Sequence, residues 1–302
     1  MKSLRFARCL GLNTVSAPQS LIFDPRSGAW EAALAVNVDF VDGGRRWRTK
    51  PGCVRVESGN WRDGFDASLG GHYAVKDDVL VEVLGENSTR ALMSLLTFGR
   101  VAWTDLDDLV FWSNGLEKGL IQDGEAVAWG GVSWPVASEA HRFESPPAGQ
   151  VLGSHGGRIW IGVDSSLCFT EGAGGWHFWQ PAANIIEMPG RITMIRGLAE
   201  GLYVGTSAGV YYLAGTDPDQ MRLRRVFSDP TIPGLDAHVQ ADNFGKFDPV
   251  RAVVWVTPHD VCLGLPDGLV VQLIKDRVAL DAPASTGGLV LLPKRLVAVL
   301  HP

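Results

Sequence analysis

The segment Arg158–Gly172 reads Arg-Ile-Trp-Ile-Gly-Val-Asp-Ser-Ser-Leu-Cys-Phe-Thr-Glu-Gly, and Gly201–Gly215 reads Gly-Leu-Tyr-Val-Gly-Thr-Ser-Ala-Gly-Val-Tyr-Tyr-Leu-Ala-Gly. The two align without a gap at an offset of 43 residues, with apolar positions, turn positions and two Gly coinciding. Self-similarity at such a period means stacked repeats, because one unit cannot bury both of its faces alone. A third copy, with one gap, runs from Val253 to Leu263 and sets Trp255 on Trp160 and Cys262 on Cys168. A fourth is Leu109–Gly115 continuing at Gly119–Gly124, and a fifth, weaker, begins at Asp78.

Each copy is strand, tight turn, strand. The turns Asp164-Ser165-Ser166, Ser207-Ala208-Gly209 and Ser113-Asn114-Gly115 supply the backbone conformations a hairpin needs. Elsewhere, too, the apolar runs are short and bounded by Gly, Asp, Asn, Ser or Pro, which is the all-β pattern. Asn87–Leu96 fits a strand better than a helix. Hairpins starting near 79, 109, 158, 201 and 253 are 30 to 52 residues apart, and a four-stranded propeller blade takes about 40–50 residues. Radial closure also removes exposed strand edges. The expectation is therefore an all-β chain forming a single β-propeller of about six blades, five to seven, with irregular repeats. Residues 1–32 are an N-terminal extension that can serve as a docking arm, and 33–302 are the propeller. The strand-like segments 33–56 and 268–300 combine as the closing blade in this reading. Trp160 and Trp255 pack between blades at equivalent positions.

Composition narrows the classes further. With 20% charged residues and 11 Trp, the chain is neither disordered nor a coiled coil. A net charge of −6 opposes duplex binding. The local basic runs Arg45, Arg46, Arg48, Lys50 and Arg222, Arg224, Arg225 fit solvated strand faces. The Cys at 9, 53, 168 and 262 form no CxxC pair, and Cys168 and Cys262 read as buried core residues. No run approaches the 18 apolar residues of a membrane span, and residues 1–10 lack the apolar stretch of a signal peptide. Assembly in the cytoplasm is the expectation.

No motif points to catalysis. Gly205-Thr-Ser-Ala-Gly209 satisfies G-x-S-x-G, but the nucleophile elbow needs a helix after it, and Val210-Tyr-Tyr-Leu213 reads as a strand. The seven His show no metal spacing. Asp105, Asp107 and Asp108 form an acidic turn without the Gly and Glu of a calcium loop. The two carboxylates of a glycoside hydrolase can lie far apart in sequence, and nothing singles out a pair. No cofactor and no metal site is expected. Thr170–Trp179 carries a Gly-rich turn followed by Trp176, His177 and Trp179. Trp176 packs between blades in one reading. In the other, the three side chains form an exposed aromatic platform for sugar or protein.

The most distinctive stretch is Ala35-Val-Asn37-Val-Asp39-Phe-Val-Asp42-Gly43-Gly44-Arg45-Arg46-Trp47-Arg48-Thr-Lys50-Pro51-Gly52. Physically it is a hairpin that alternates, turns at Asp42-Gly43-Gly44, and is broken by Pro51-Gly52. It resembles the opening of a broad group of tailed-bacteriophage virion proteins. In those, an Asn-Val-Asp, an Asp/Gly turn and an Arg-x-x-Pro-Gly precede a propeller body; Lys50 stands here where a second Arg is common. The resemblance, which extends in design to phage propellers that plug or stabilise the tail junction, implies a non-enzymatic virion component of the tail or head–tail junction, with the tail tip or baseplate favoured, assembled in the host cytoplasm. It would sit in several copies around a symmetric axis and dock on neighbouring virion proteins, with a host receptor or glycan as a further partner. Asn37, Asp39, Arg45, Arg46, Trp47, Arg48, Pro51 and Gly52 are then the docking hairpin. The alternative reading is a carbohydrate-binding or glycan-hydrolysing propeller.

Overall fold

The structure, a computed structural model, describes residues 58–292 apart from 86, 87, 173, 245, 246, 276, 277 and 279–281. It also describes residues 295–301 and the backbone of five short strands between residues 8 and 49. Those strands are β1 (Arg8–Leu12), β2 (Phe23–Asp24), β3 (Ala29–Ala32), β4 (Val38–Val41) and β5 (Arg46–Thr49). β3 pairs parallel to β1 and antiparallel to β2, while β4 and β5 form a separate hairpin.

Five four-stranded antiparallel meanders follow, each in simple sequence order. Blade I is β6 (Trp61–Asp66), β7 (His72–Lys76), β8 (Val79–Gly85) and β9 (Ser88–Ser94). Blade II is β10 (Ala102–Leu106), β11 (Leu109–Ser113), β12 (Lys118–Gln122) and β13 (Glu125–Val127). Blade III is β14 (Val151–His155), β15 (Arg158–Val163), β16 (Ser166–Phe169) and β17 (Ile185–Glu187). Blade IV is β18 (Ile192–Leu198), β19 (Gly201–Thr206), β20 (Gly209–Ala214) and β21 (Arg222–Phe227). Blade V is β22 (Asp236–Gln240), β23 (Arg251–Val256), β24 (Val261–Gly264) and β25 (Val270–Gln272). A hairpin, β26 (Thr286–Leu292) and β27 (Arg295–His301), ends the described chain. The innermost strands β10, β14, β18, β22 and β26 each pack beside the next, which is the arrangement of a propeller.

Sandwiching explains the apolar runs. A strand with sheets on both faces is apolar throughout rather than alternating. β11 and β19 are buried along their whole length, whereas the outer strand β21 is exposed over its first four residues. Each apolar layer lies between two blades. Val75, Leu80, Trp103 and Trp112 fill the layer between blades I and II, and Phe111, Leu152, Ile159 and Ile161 that between II and III. Trp160, Leu167, Leu202 and Val204 join III to IV, and Tyr203, Tyr212, Val253 and Trp255 join IV to V. The far face of blade V meets Leu289, Leu296 and Leu300 of the β26–β27 hairpin.

The tight turns use Asp where the backbone must be left-handed: Asp77 and Asp78 at φ 48° and 62°, Asp107 at 55° and Asp164 at 48°. Asp tolerates this region because its short side chain bonds the local backbone. Between blades III and IV the inner strands come almost backbone to backbone. A Cβ on Gly153 would lie 2.8 Å from the Ile195 carbonyl oxygen, and one on Gly197 would collide with that of Ser154.

The Trp160–Trp255 equivalence does not hold. Cys168 pairs with Ile161, and Cys262 pairs with Trp255, so Trp255 is the counterpart of Ile161. A shift of one residue in a strand moves a side chain to the opposite face. Trp160 therefore faces forward to blade IV, and Trp255 faces back to blade IV from the other side. The forward-facing counterpart of Trp160 is Tyr203, as the ungapped repeat implies.

Candidate functional site

Two loops build one exposed face. Residues 95–101 carry the chain from blade I into blade II, and residues 114–117 turn β11 into β12. Asn114 closes the second loop: its Oδ1 accepts from the backbone N–H groups of Leu116 (3.0 Å) and Glu117 (2.7 Å). The Glu117 carboxylate then clamps the loops together. It accepts from the N–H groups of Leu96 and Thr97, both at 3.0 Å, from the Thr97 hydroxyl at 2.8 Å and from the Asn114 amide at 3.2 Å. Burial on its own would raise the Glu117 pKa, but these hydrogen bonds to the charged form outweigh it and hold it below the usual carboxylate value.

The clamp presents three large apolar side chains to solvent. Leu96, Phe98 and Leu116 are 84%, 89% and 76% exposed. Apolar groups held this far out on ordered loops gain nothing from the fold, and large exposed apolar surface on joined loops is a mark of interaction sites.

Beside the triad runs a charged network. Asp63 sits in a bulge of β6 with φ 50°, and its side chain is only 5% exposed. A buried carboxylate must be paired. It accepts from Arg62 Nη1 at 2.9 Å, from the Val101 N–H at 2.9 Å and from Arg100 Nε at 3.3 Å. Arg62 also reaches Asp78 at 2.8 Å and the Gly99 carbonyl at 2.5 Å. Burial would lower the Arg62 pKa, but its bonds to Asp78 and Asp63 raise it on balance. The Trp103 indole N–H donates to the Asp63 carbonyl at 2.8 Å. Arg100 extends from the loop entering blade II to the Pro233 carbonyl in the loop entering blade V. In chain order those junctions are separated by the II–III and III–IV boundaries, so the side chain ties together two blade junctions that are not neighbours in sequence.

Lower on the inner strands, blades IV and V are joined by polar contacts. Arg196 Nε donates to Asp236 at 2.5 Å, and His238 Nε2 donates to the Gly197 carbonyl at 2.8 Å. Burial, with the positive charges of Arg196 and Arg251, pushes the His238 pKa down to about 3. Among the described residues no group of three or more His, Cys, Asp or Glu is placed to hold a metal ion.

The residues singled out by sequence lie elsewhere. Asp39, Arg46, Trp47 and Arg48 stand in the β4–β5 hairpin, with Asp39 opposite Arg48, Phe40 opposite Trp47 and Val41 opposite Arg46. Asn37, Arg45, Pro51 and Gly52 lie outside the described residues. Trp176, His177 and Trp179 are each half-buried in an annex between blades II and III. There the excursions 128–150 and 170–184 are bridged through the paired backbones of Glu144 and Trp179. Trp176 packs edge-on to Phe111, and its carbonyl accepts from the Trp129 indole at 2.7 Å. His177 Nδ1 accepts from the Gly130 N–H at 3.1 Å, and burial lowers its pKa. Trp179 donates to the Asn184 carbonyl at 3.1 Å. The Gly205–Gly209 segment is a hairpin turn between β19 and β20, with no helix after it. Sequence reasoning did not find the Leu96–Phe98–Leu116 face. Its available signal was large apolar residues inside turns, at positions where hairpin turns are ordinarily polar.

No protein-family model matches the chain, and no curated protein matches it in sequence. Solved structures match its fold. One is the extracellular domain of the putative one-component system BT4673 from B. thetaiotaomicron, with a TM-score of 0.51 at 14% identity over 81% of this chain. This chain spans only 31% of the length of that one. Another is BBS1N crystallised in complex with ARL6DN, with a TM-score of 0.50 at 10% identity over 78% of this chain and 73% of that one. At these identities the likeness is one of fold.

Proposed function

We propose that this protein is a non-enzymatic docking component of a bacteriophage virion, at the tail tip or baseplate, that grips a neighbouring virion protein with the Leu96–Phe98–Leu116 face. The observation that carries the docking role is the clamp: one carboxylate fixes two loops so that three apolar side chains stand in water. Order of that kind lowers the entropy cost of binding. The phage context rests on the β4–β5 hairpin, whose Asp39–Arg48 and Phe40–Trp47 pairs belong to the stretch that resembles virion propellers. Protein docking is also a use to which a matching propeller is put, since BBS1N was crystallised with ARL6DN.

The ring has a sixth blade in this reading, made from β26–β27 and strands of the N-terminal region. Its support is that β26 packs beside β22 and that Leu289, Leu296 and Leu300 cover the far face of blade V.

The test is to purify particles from a lysate in which the chain is made from its own gene, and to measure its abundance by mass spectrometry. A fixed copy number per particle is expected for the wild type, and loss from particles for Phe98→Asp/Leu116→Asp, with circular dichroism unchanged. Absence of the wild-type chain from particles overturns the virion assignment. Normal incorporation of the double variant overturns the docking face.

A further inference from the structure

The basic strand β21 lies far in sequence from the face just described. Among the described residues it pairs only with β20, and no other described strand lies on its outer edge. Beside it a groove of about 520 Å³ runs between the outer strands of blades IV and V, lined by Arg224, Arg225, Phe227, Asp267, Leu269 and Val270 among others. Arg222, Arg224 and Arg225 are exposed, and among the described residues none pairs with a carboxylate. The guanidinium groups of Arg224 and Arg225 are instead positioned by backbone carbonyls. Arg224 donates to Asp267 O at 3.1 Å, and Arg225 to Ala208 O at 2.6 Å and Ser228 O at 3.1 Å. Each retains N–H donors for another acceptor, since a guanidinium carries five. Leu269, about half exposed, adds apolar surface along the groove.

We infer that this groove binds an extended acidic peptide segment of another protein, which adds as a strand along β21. Open N–H and C=O groups of an edge strand are a template for strand addition. Arg222 and Arg224 are two residues apart, the spacing at which side chains of a strand point the same way. A peptide with carboxylates at alternate positions matches that spacing, and a carboxylate suits the planar donor fork of Arg. Asp267 is the single carboxylate among the lining residues, and it is engaged by the Leu269 N–H at 2.9 Å.

The site is independent of the apolar face and can be tested on the full chain without particles. Fluorescence polarisation would use a labelled eight-residue peptide of alternating Glu and Val, its Lys-for-Glu counterpart, the Glu peptide N-methylated at alternate residues, and single-stranded oligothymidylate. Saturable, salt-sensitive binding of the Glu peptide is expected, weakened at least tenfold by Arg222→Glu/Arg224→Glu and by Arg222→Glu alone, with no binding of the Lys peptide. Undiminished binding to either variant, or equal binding of the N-methylated peptide, overturns the proposal. So does tighter binding of the oligonucleotide.

Discussion

His238 gives the structure a pH dependence whose sign and size can be worked out. It is neutral in the folded protein, donating through Nε2 to the Gly197 carbonyl, with its pKa pushed down to about 3 by burial and by Arg196 and Arg251. In the unfolded chain it takes up a proton as the pH falls through its ordinary value of 6.5. The unfolded state therefore binds more protons between those limits. The stability is complete above the unfolded value and declines as the pH falls toward 3. Linkage over the step from about pH 7.5 to about pH 5.5 costs roughly 1.4 kcal/mol. That window lies above most carboxylate titrations. His238→Gln keeps an N–H donor for Gly197 but cannot titrate. Urea unfolding followed by Trp fluorescence at both pH values should show the variant losing about 1.4 kcal/mol less than the wild type. His177, also lowered by burial, contributes equally to both proteins and cancels. Equal losses in the two proteins would refute the reasoning.

Other outcomes follow from the packing. Gly205→Ala would drive a Cβ against the Thr231 hydroxyl and to within 3.0 Å of Met194 Cβ, and overpacking of this kind costs about 1–3 kcal/mol in denaturant melts. Trp160→Ala empties a fully buried site between blades III and IV and should cost about 3–5 kcal/mol. Glu117→Ala should raise hydrogen exchange at the Leu96 and Thr97 amides well above that of the β11 amides; unchanged exchange would mean the clamp does not order the loops. Burial, with the charge of Glu187, lifts the Cys168 thiol to about 11, so peptide mapping after brief native alkylation at pH 8 should find it unmodified and find it labelled once the chain is unfolded. A chain beginning at Ser58 should melt at a lower temperature, and an unchanged Tm would remove the N-terminal strands from the ring.

The propeller is legible in the sequence because its middle strands are sandwiched. Ile159–Ile161, Leu202–Val204 and Val253–Val256 have to be apolar on both faces, and the turns between them need Asp or Gly. Blade I is less legible. β6, Trp61-Arg-Asp-Gly-Phe-Asp, is polar because Arg62 and Asp63 serve the charged network. Its second strand begins at His72, ahead of the Asp78 onset read from sequence, so the second strands of the five blades start 37 to 50 residues apart. Trp255 misled for a different reason. A gapped alignment weighs a conspicuous ring more than the pairing partner opposite it, and only strand register says which face a residue occupies. Leu96, Phe98 and Leu116 are less legible: no repeat position predicts them, their one signal is an apolar residue inside a turn, and the carboxylate that orders both loops, Glu117, bonds across them only in the fold.

The Arg100 strut also bears on what could pass along the axis of the blades. A propeller whose I–II and IV–V blade junctions are tied by a guanidinium, itself anchored behind by Asp63, is not an open tube. Nothing as wide as a nucleic-acid duplex or a folded polypeptide could thread it without breaking that strut. If copies of this protein surround a conduit, each must stand to the side of it, as a stave stands to a barrel, and the lumen belongs to the assembly.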